Sequence, residues 1–321
     1  MRSGHLVDPE LMLSLDTFPT LQLSNDILPR LREAVVSALA SAVVVDHLSV
    51  TVERVEFPGP AGAPPVPALI YRPPSGEETS HGILLQIHGG GYITGCAQMS
   101  DPDNRRICAE LGCTVVSVDY RLAPETPHPG PVEDCYCVLK ALHGGWPSIN
   151  GDRTRIAVSG DSAGGGLAAA LALLARDRGE IQVVHQHLIY PMIDDRTCAR
   201  AHSSPFIGEL VWTMEHNRFG WSSLLQVPPG SEGVSPYAAA ARAENLEGLP
   251  GAFIAVGALD LFLEENLAYA SRLALAGVPV ELHVYPGAYH GFRRVRNASV
   301  AKAANRDSLD ALRRVLIPAA P

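Results

Sequence analysis

The chain has little charge and no excess of positive charge. Only 18% of its 321 residues are Asp, Glu, Lys or Arg, and 34 acidic residues outnumber 25 basic ones, for a formal net charge of −9. That balance provides no basic footprint for nucleic acid or for an anionic membrane surface. Long apolar runs are also missing. The longest, Leu167 to Ala175, is half of the roughly 18 to 20 residues that cross a bilayer, so no membrane span is expected. The first residues carry Arg2, His5, Asp8 and Glu10 and no apolar segment with a small-residue cleavage site. No secretory signal is legible, and the cytoplasm is the expected location. Cysteine is sparse: Cys96, Cys108, Cys113, Cys135, Cys137 and Cys198 include no C-x-x-C pair. Neither a zinc or redox motif nor a disulfide framework is indicated, and ordinary reduced thiols are expected.

What is present is a globular composition, 46% hydrophobic, with an alternating pattern from about Ala68 onward. Strand candidates are Ala68 to Arg72, Ile83 to Ile87, Thr114 to Asp119, Arg155 to Ser159, His187 to Tyr190, Phe253 to Val256 and Val280 to Tyr285. Helical patterns lie between them, which implies βαβ units and a mainly parallel sheet covered on both faces. Val50 to Phe57, the Pro/Gly-rich stretch Pro58 to Pro67 and Ala68 to Arg72 read instead as an antiparallel hairpin at one edge. Two stretches break the alternation. Near the amino terminus Leu28, Leu31, Val35 and Leu39 recur at helical spacing, and Asp195 to Gly233 carries Phe206, Leu210, Trp212, Phe219 and Trp221 where another strand would be due. Both are expected to be helical additions over one end of the sheet. The expected division is 1–45 as the first part of a helical cap, 46–194 as α/β core, 195–233 as a cap insertion and 234–321 as the rest of the core.

The most specific segment is RIAVSGDSAGGGLAAA, Arg155 to Ala170. A β-run ends at Ser159, Gly160-Asp161-Ser162-Ala163-Gly164 fits G-x-S-x-G, and an Ala/Leu-rich helix follows, as a nucleophile elbow requires. The glycines leave room where the turn crowds its own backbone, and the helix start favours an anion beside Ser162. A serine hydroxyl needs a base and a group to orient that base. His290 follows the last strand in a loop, where α/β sheets place reactive groups, whereas His283 lies within the strand. Asp260 follows the run Phe253 to Leu259 and precedes His290. It is the preferred orienting acid, with a helix N-cap as its ordinary alternative use and Glu264 as the fallback. ILLQIHGGGY, Ile83 to Tyr92, places three glycines after a buried strand, so their amides can approach a developing oxyanion. A methyl group at Gly90 is expected to intrude where that oxygen sits or to twist the amide away.

Together, His88-Gly89-Gly90-Gly91-Tyr92, Asp119-Tyr120-Arg121-Leu122-Ala123-Pro124-Glu125, Gly160-Asp161-Ser162-Ala163-Gly164-Gly165, Asp260-Leu261 and His290-Gly291-Phe292 closely resemble the hormone-sensitive-lipase-like branch of the α/β-hydrolases, the bacterial family IV esterases. The resemblance runs from about residue 50 to the end. It implies an α/β-hydrolase fold with a mostly parallel eight-stranded sheet and a helical cap. It assigns the oxyanion amides to Gly90, Gly91 and Ala163, loop support to His88 and Gly89, and a structural role to the DYRLAPE run. One departure is visible: many members have Pro after the Asp and a later Asp-Glu pair, where this chain has Leu261-Phe262-Leu263-Glu264-Glu265.

The reading is a serine carboxylesterase for short-chain acyl esters, with Ser162, His290 and Asp260 as its triad, a small-molecule ester as partner, and neither metal nor organic cofactor. Hydrolysis of amides, carbamates or acetylated natural products is the near alternative, and a non-catalytic ligand-binding receptor on the same fold the distant one. Val280 to Tyr285, if an edge strand, could pair two chains into a homodimer.

Overall fold

Eight strands pair into one sheet in the computed structural model, which describes residues 2–18, 22–41, 49–74, 81–147, 149–200 and 204–318. The strands are β1 (Thr51–Phe57), β2 (Val66–Arg72), β3 (Gly82–Ile87), β4 (Thr114–Val118), β5 (Asp152–Asp161), β6 (Val183–Ile189), β7 (Gly251–Gly257) and β8 (Val280–Tyr285). They lie side by side in the order β1-β2-β4-β3-β5-β6-β7-β8. β2 runs antiparallel to both neighbours and all later pairs are parallel. The helices are α1 (Pro9–Met12), α2 (Leu28–Ser41), α3 (Asp101–Leu111), α4 (Gly130–Gly144), α5 (Ala163–Arg178), α6 (Met214–Leu225), α7 (Leu263–Leu275) and α8 (Ser299–Leu316). α4, α5 and α7 pack on one face, and α3 and α8 on the other. Coverage from both sides is why β3 and β4 are buried at every position and read as continuous rather than alternating apolar runs. Among the described residues no helix is long and apolar enough to cross a membrane.

The expected hairpin is β1 with β2, at one edge. Some strand ends differ from the sequence pattern. β5 continues two residues past Ser159, because Gly160 and Asp161, poor strand formers in isolation, pair with Leu188 and Ile189 of β6. β6 begins at Val183 rather than His187; the polar His185 and Gln186 interrupt the apolar run yet are buried inside the sheet. β4 stops at Val118, one residue short of Asp119. The boundary expected at 45/46 falls outside the described residues.

The segments around the parallel strands' carboxyl ends are tied together by polar contacts. Glu209 accepts from the backbone amides of Arg2 and Ser3 and from the Ser3 hydroxyl, which joins the amino-terminal residues to the segment before α6. Asp8 caps α1, and its own amide donates to Gly287 in the loop after β8. Arg32 of α2 reaches Glu125 and the carbonyls of Ile93 and Ala123. The DYRLAPE run holds its own corner: Tyr120 donates to the His88 carbonyl at 3.0 Å, and Arg121 grips the fully buried Asp134.

A second buried carboxylate braces the segment after β6. Glu265 on α7 accepts from the amides of Ile193 and Asp194 through Oε1 and from the Thr197 hydroxyl through Oε2. The neighbouring Asn266 donates to the Pro191 carbonyl at 2.8 Å. Burial pushes the Glu265 carboxyl well above the ordinary range, against the pull of those donors. A raised folded-state pKa means that the native protein keeps a proton the unfolded chain releases. Its contribution to stability therefore falls as pH rises above the ordinary Glu value. Glu265→Gln keeps Oε1 for both amides. It is expected to equal or exceed the parent's stability at about pH 8 and to flatten the slope between about pH 5 and pH 8. Glu265→Ala leaves buried donors unpaired and should cost about 2 to 3 kcal/mol. Urea unfolding across pH checks both, and a Gln variant that loses as much as Ala would contradict the account.

Candidate active site

β5 delivers Ser162 to a turn that few residues could make. Ser162 sits at φ 58° and ψ −121° as the residue before α5, a strained backbone for any side chain beyond glycine. A Cβ at Gly160 would lie 2.1 Å from the Gly164 carbonyl oxygen, and one at Gly164 would lie 2.1 Å from that of Ile87, so both close approaches require glycine. The turn is held by its neighbours: Ser162 N–H donates to Ile189 at 2.9 Å, and Met192 N–H donates back to Ser162 at 3.0 Å. The Tyr92 hydroxyl in turn donates to the Met192 carbonyl at 2.7 Å. The segment braced by Glu265 thus joins the serine turn to the glycine loop after β3.

His290 follows β8 by five residues, and Asp260 follows β7 by three. All three side chains are buried, and two hydrogen bonds link them: Ser162 Oγ to His290 Nε2 and His290 Nδ1 to Asp260 Oδ2, each 2.9 Å. A carboxylate can only accept here, so Nδ1 carries the proton and Nε2 is left to accept from the serine hydroxyl. Asp260 also accepts from the Phe262 amide through Oδ1 at 3.0 Å, so it shapes the turn into α7 and orients the histidine at once. Tyr190 and Phe262 meet the imidazole edge-on, with ring centroids at 4.8 and 5.1 Å. The alternatives are placed elsewhere: His283 bonds Glu281 on its own strand, and Glu264 lies on α7 while Asp260 takes the Nδ1 position.

His88-Gly89-Gly90-Gly91 turns beside this chain of bonds. His88 donates through Nδ1 to the Gly89 carbonyl at 2.8 Å and stacks on Tyr120 at 4.2 Å. Burial holds its pKa below the ordinary value, so the ring stays neutral. Gly90 and Gly91 have φ of 120° and 62°. Their amides, and that of Ala163 at the first turn of α5, donate to no backbone acceptor among the described residues. Of the two outcomes expected for a Gly90 methyl, intrusion on the oxyanion or a twisted amide, the geometry favours the second: the methyl would strike the Thr94 carbonyl oxygen, 2.0 Å from the ideal Cβ, so the loop backbone must shift. The tight return of the chain from Gly90 to Thr94 decides this, and the sequence pattern does not reveal it.

A cleft of about 380 Å³ opens over Ser162 and His290, within the range of small-molecule sites. Phe18, Leu23, Leu31, Val35, Ile93 and Trp212 are among its apolar walls, and Arg293, Arg294 and Arg296 among its charged ones. Sequence reasoning missed several contributors. Tyr190 carries no motif that marks it, and Phe262 and Glu265 lie in the segment after Asp260 that the sequence marks only as a departure from the family pattern, with no role; the convergence of β6, β7 and α7 brings all three to the site.

A family model described as alpha/beta hydrolase fold matches residues 84–294. The chain is 34% identical over 305 residues to Esterase LipI of Mycobacterium tuberculosis, covering 93% of this chain and 91% of the relative. It is 33% identical over 291 residues to Carboxylesterase NlhH of the same organism, covering 89% and 88%. Among solved structures it matches a bacterial heroin esterase with a TM-score of 0.90 at 37% identity, covering 98% of this chain and 99% of that one. It matches the esterase LipW from Mycobacterium marinum with a TM-score of 0.87 at 31% identity, over 98% of both chains. The family match spans well over half of the sequence, and with these relatives it shows that the chain belongs to the alpha/beta hydrolase fold family, in the hormone-sensitive-lipase-like branch that comprises the bacterial family IV esterases.

Proposed function

We propose that this protein hydrolyses carboxylic esters of short acyl groups through an acyl-enzyme on Ser162. The observation that carries the reading is the buried Ser162–His290–Asp260 chain of two 2.9 Å hydrogen bonds at the base of the cleft. Ser162 Oγ attacks the ester carbonyl as His290 Nε2 takes its proton, and Asp260 holds the resulting imidazolium. The Gly90, Gly91 and Ala163 amides stabilise the oxyanion. His290 returns the proton to the leaving alcohol; it then takes a proton from a water whose oxygen attacks the acyl carbonyl, and gives that proton to Ser162 Oγ as the bond from the acyl carbon to Oγ breaks and the acid leaves. No metal or organic cofactor enters this scheme. The names of the relatives, esterases and carboxylesterases, agree with it.

Residues 1–45 and 195–233 form the helical cap of this reading, and residues 46–194 and 234–321 its core. Support comes from Leu23, Leu31 and Val35 on one side and Val211, Trp212 and His216 on the other, all of which wall the cleft. The six free thiols suit the cytoplasm. β8 is the outer strand at its end of the sheet, with Leu282 and Val284 exposed, and it suits pairing with a second copy across a two-fold axis.

Ser162→Ala and His290→Ala are each expected to lower kcat on a soluble aryl ester on the order of 10⁶-fold, and Asp260→Ala less, on the order of 10⁴-fold. Substantial turnover in folded Ser162→Ala protein would remove the serine from the mechanism. In a soluble acyl series kcat/KM should peak at short chains, because burial adds about 0.8 kcal/mol per methylene only until the cleft ends. A rate jump on emulsified long-chain triglyceride would indicate a lipase lid instead. Light scattering should give the mass of two chains, reduced to one by Val284→Asp; a parent of single-chain mass rules out the β8 pairing.

A further inference from the structure

The residues that wall the cleft differ in exposure: Arg294 and Arg296 are exposed, whereas Gly91 is buried where the glycine loop meets the segment before α6. Trp212, half-buried, stands over Gly91. An ideal Cβ on Gly91 would lie 2.3 Å from Cη2 and 2.9 Å from Cζ2 of Trp212, so the six-membered ring of the indole rests directly on the glycine backbone. Its centroid is 6.3 Å from that of His290. The ring therefore spans from a proposed oxyanion donor to the proposed base, beside the place where the reacting carbonyl must sit.

The indole is fixed from several sides. Its Nε1–H donates to Oδ1 of the fully buried Asn217 at 3.3 Å. Its backbone amide donates to Leu210 at 2.7 Å across Val211, which is held at φ 61°. This is a tight three-residue turn of the rare positive-φ hand, at a β-branched residue that ordinarily avoids it. Thr213 then caps α6, and Gly220 on that helix packs so closely on the Gly91 carbonyl that a Cβ would lie 2.7 Å from the oxygen. A side chain held this way forms a wall, and it is not free to swing aside as a longer substrate enters.

We propose that Trp212 sets the acyl length this enzyme accepts, by placing its indole across the buried side of the cleft over Gly91. The inference rests on the ester-hydrolase reading above and adds which half of the ester is measured. In the two-step reaction the alcohol departs first, while the acyl group stays bonded to Ser162 until water arrives. The half that leaves first needs the solvent-exposed side of the cleft, near Arg294 and Arg296. The half that stays occupies the buried side, against the indole.

The test compares the parent with Trp212→Phe, Trp212→Leu and Trp212→Ala on two soluble series: acetyl to octanoyl esters of one phenol, and acetates of alcohols of increasing length. Titration of reactive serines with an organophosphate puts all rates on a per-site basis, and the Phe and Leu variants keep the comparison open if Ala is poorly folded. Each methylene admitted where the indole stood is worth about fourfold, and the space of an indole takes roughly three or four of the six by which octanoyl exceeds acetyl, so the octanoyl-to-acetyl ratio of kcat/KM should rise on the order of 10²-fold in Trp212→Ala. The rise should be smaller in Trp212→Phe, which keeps a ring on Gly91. The acetate series should keep its profile. An unchanged acyl profile in folded variants, or a shift confined to the alcohol series, overturns the proposal while leaving the hydrolase reading intact. A folded parent that hydrolyses none of these esters overturns that reading first, and this inference with it.

Discussion

Much of the site depends on one strained residue. Ser162 is held at φ 58° and ψ −121°, a conformation that an isolated chain would relax. Three pieces of the fold prevent this. β6 accepts the Ser162 amide through Ile189, the segment after β6 donates back through Met192, and the missing side chains of Gly160 and Gly164 let the turn fold on itself. The Glu265 and Asn266 contacts from α7 then keep that segment in place. The serine is aimed by backbone and by carboxylate and amide braces that never touch it.

The glycine loop is governed by the same requirement for close approach. His88 is buried, neutral and stacked on Tyr120, whose hydroxyl bonds back to the His88 carbonyl. Tyr92 reaches across to the Met192 carbonyl, so the loop and the serine turn share one support. Above the loop, Trp212 and Gly220 pack against Gly91 at distances that a side chain would forbid. The segments over the sheet and the loop beneath them are therefore one packed unit, and the cleft between them has walls of fixed shape.

Apolar burial and polar anchors together tie the amino terminus to this unit: Val7 and Leu11 are buried in one cluster with Tyr289 and Phe292. Glu209 gathers the amides of Arg2 and Ser3, Gly287 accepts from Asp8, and Glu10 accepts from Ser299 at the start of α8. Phe18 meets Tyr289 edge-on at 5.5 Å, immediately before His290. The first residues of the chain thereby pack against the loop that presents the histidine.

Local pattern was enough to read the alternation of strands and helices, the edge hairpin, the G-x-S-x-G turn and the glycine run after β3, because each follows from side-chain period or from a backbone that tolerates only glycine. It was also enough to nominate Ser162, Asp260 and His290, since each follows a strand where an α/β sheet presents its reactive groups. It misplaced the start of β6, where His185 and Gln186 look exposed in sequence but are buried by helices distant in the chain. It could not tell which of its two outcomes a Gly90 methyl would have, because the neighbour Thr94 is set by the return of a loop. Tyr190, Phe262, Glu265 and the seat of Trp212 on Gly91 were beyond its reach altogether. The sequence by itself determined which local conformations were affordable and which residues could do chemistry. Tertiary structure alone decided what stands next to them, because hydrogen bonds and packing act over a few ångströms between segments up to more than a hundred residues apart.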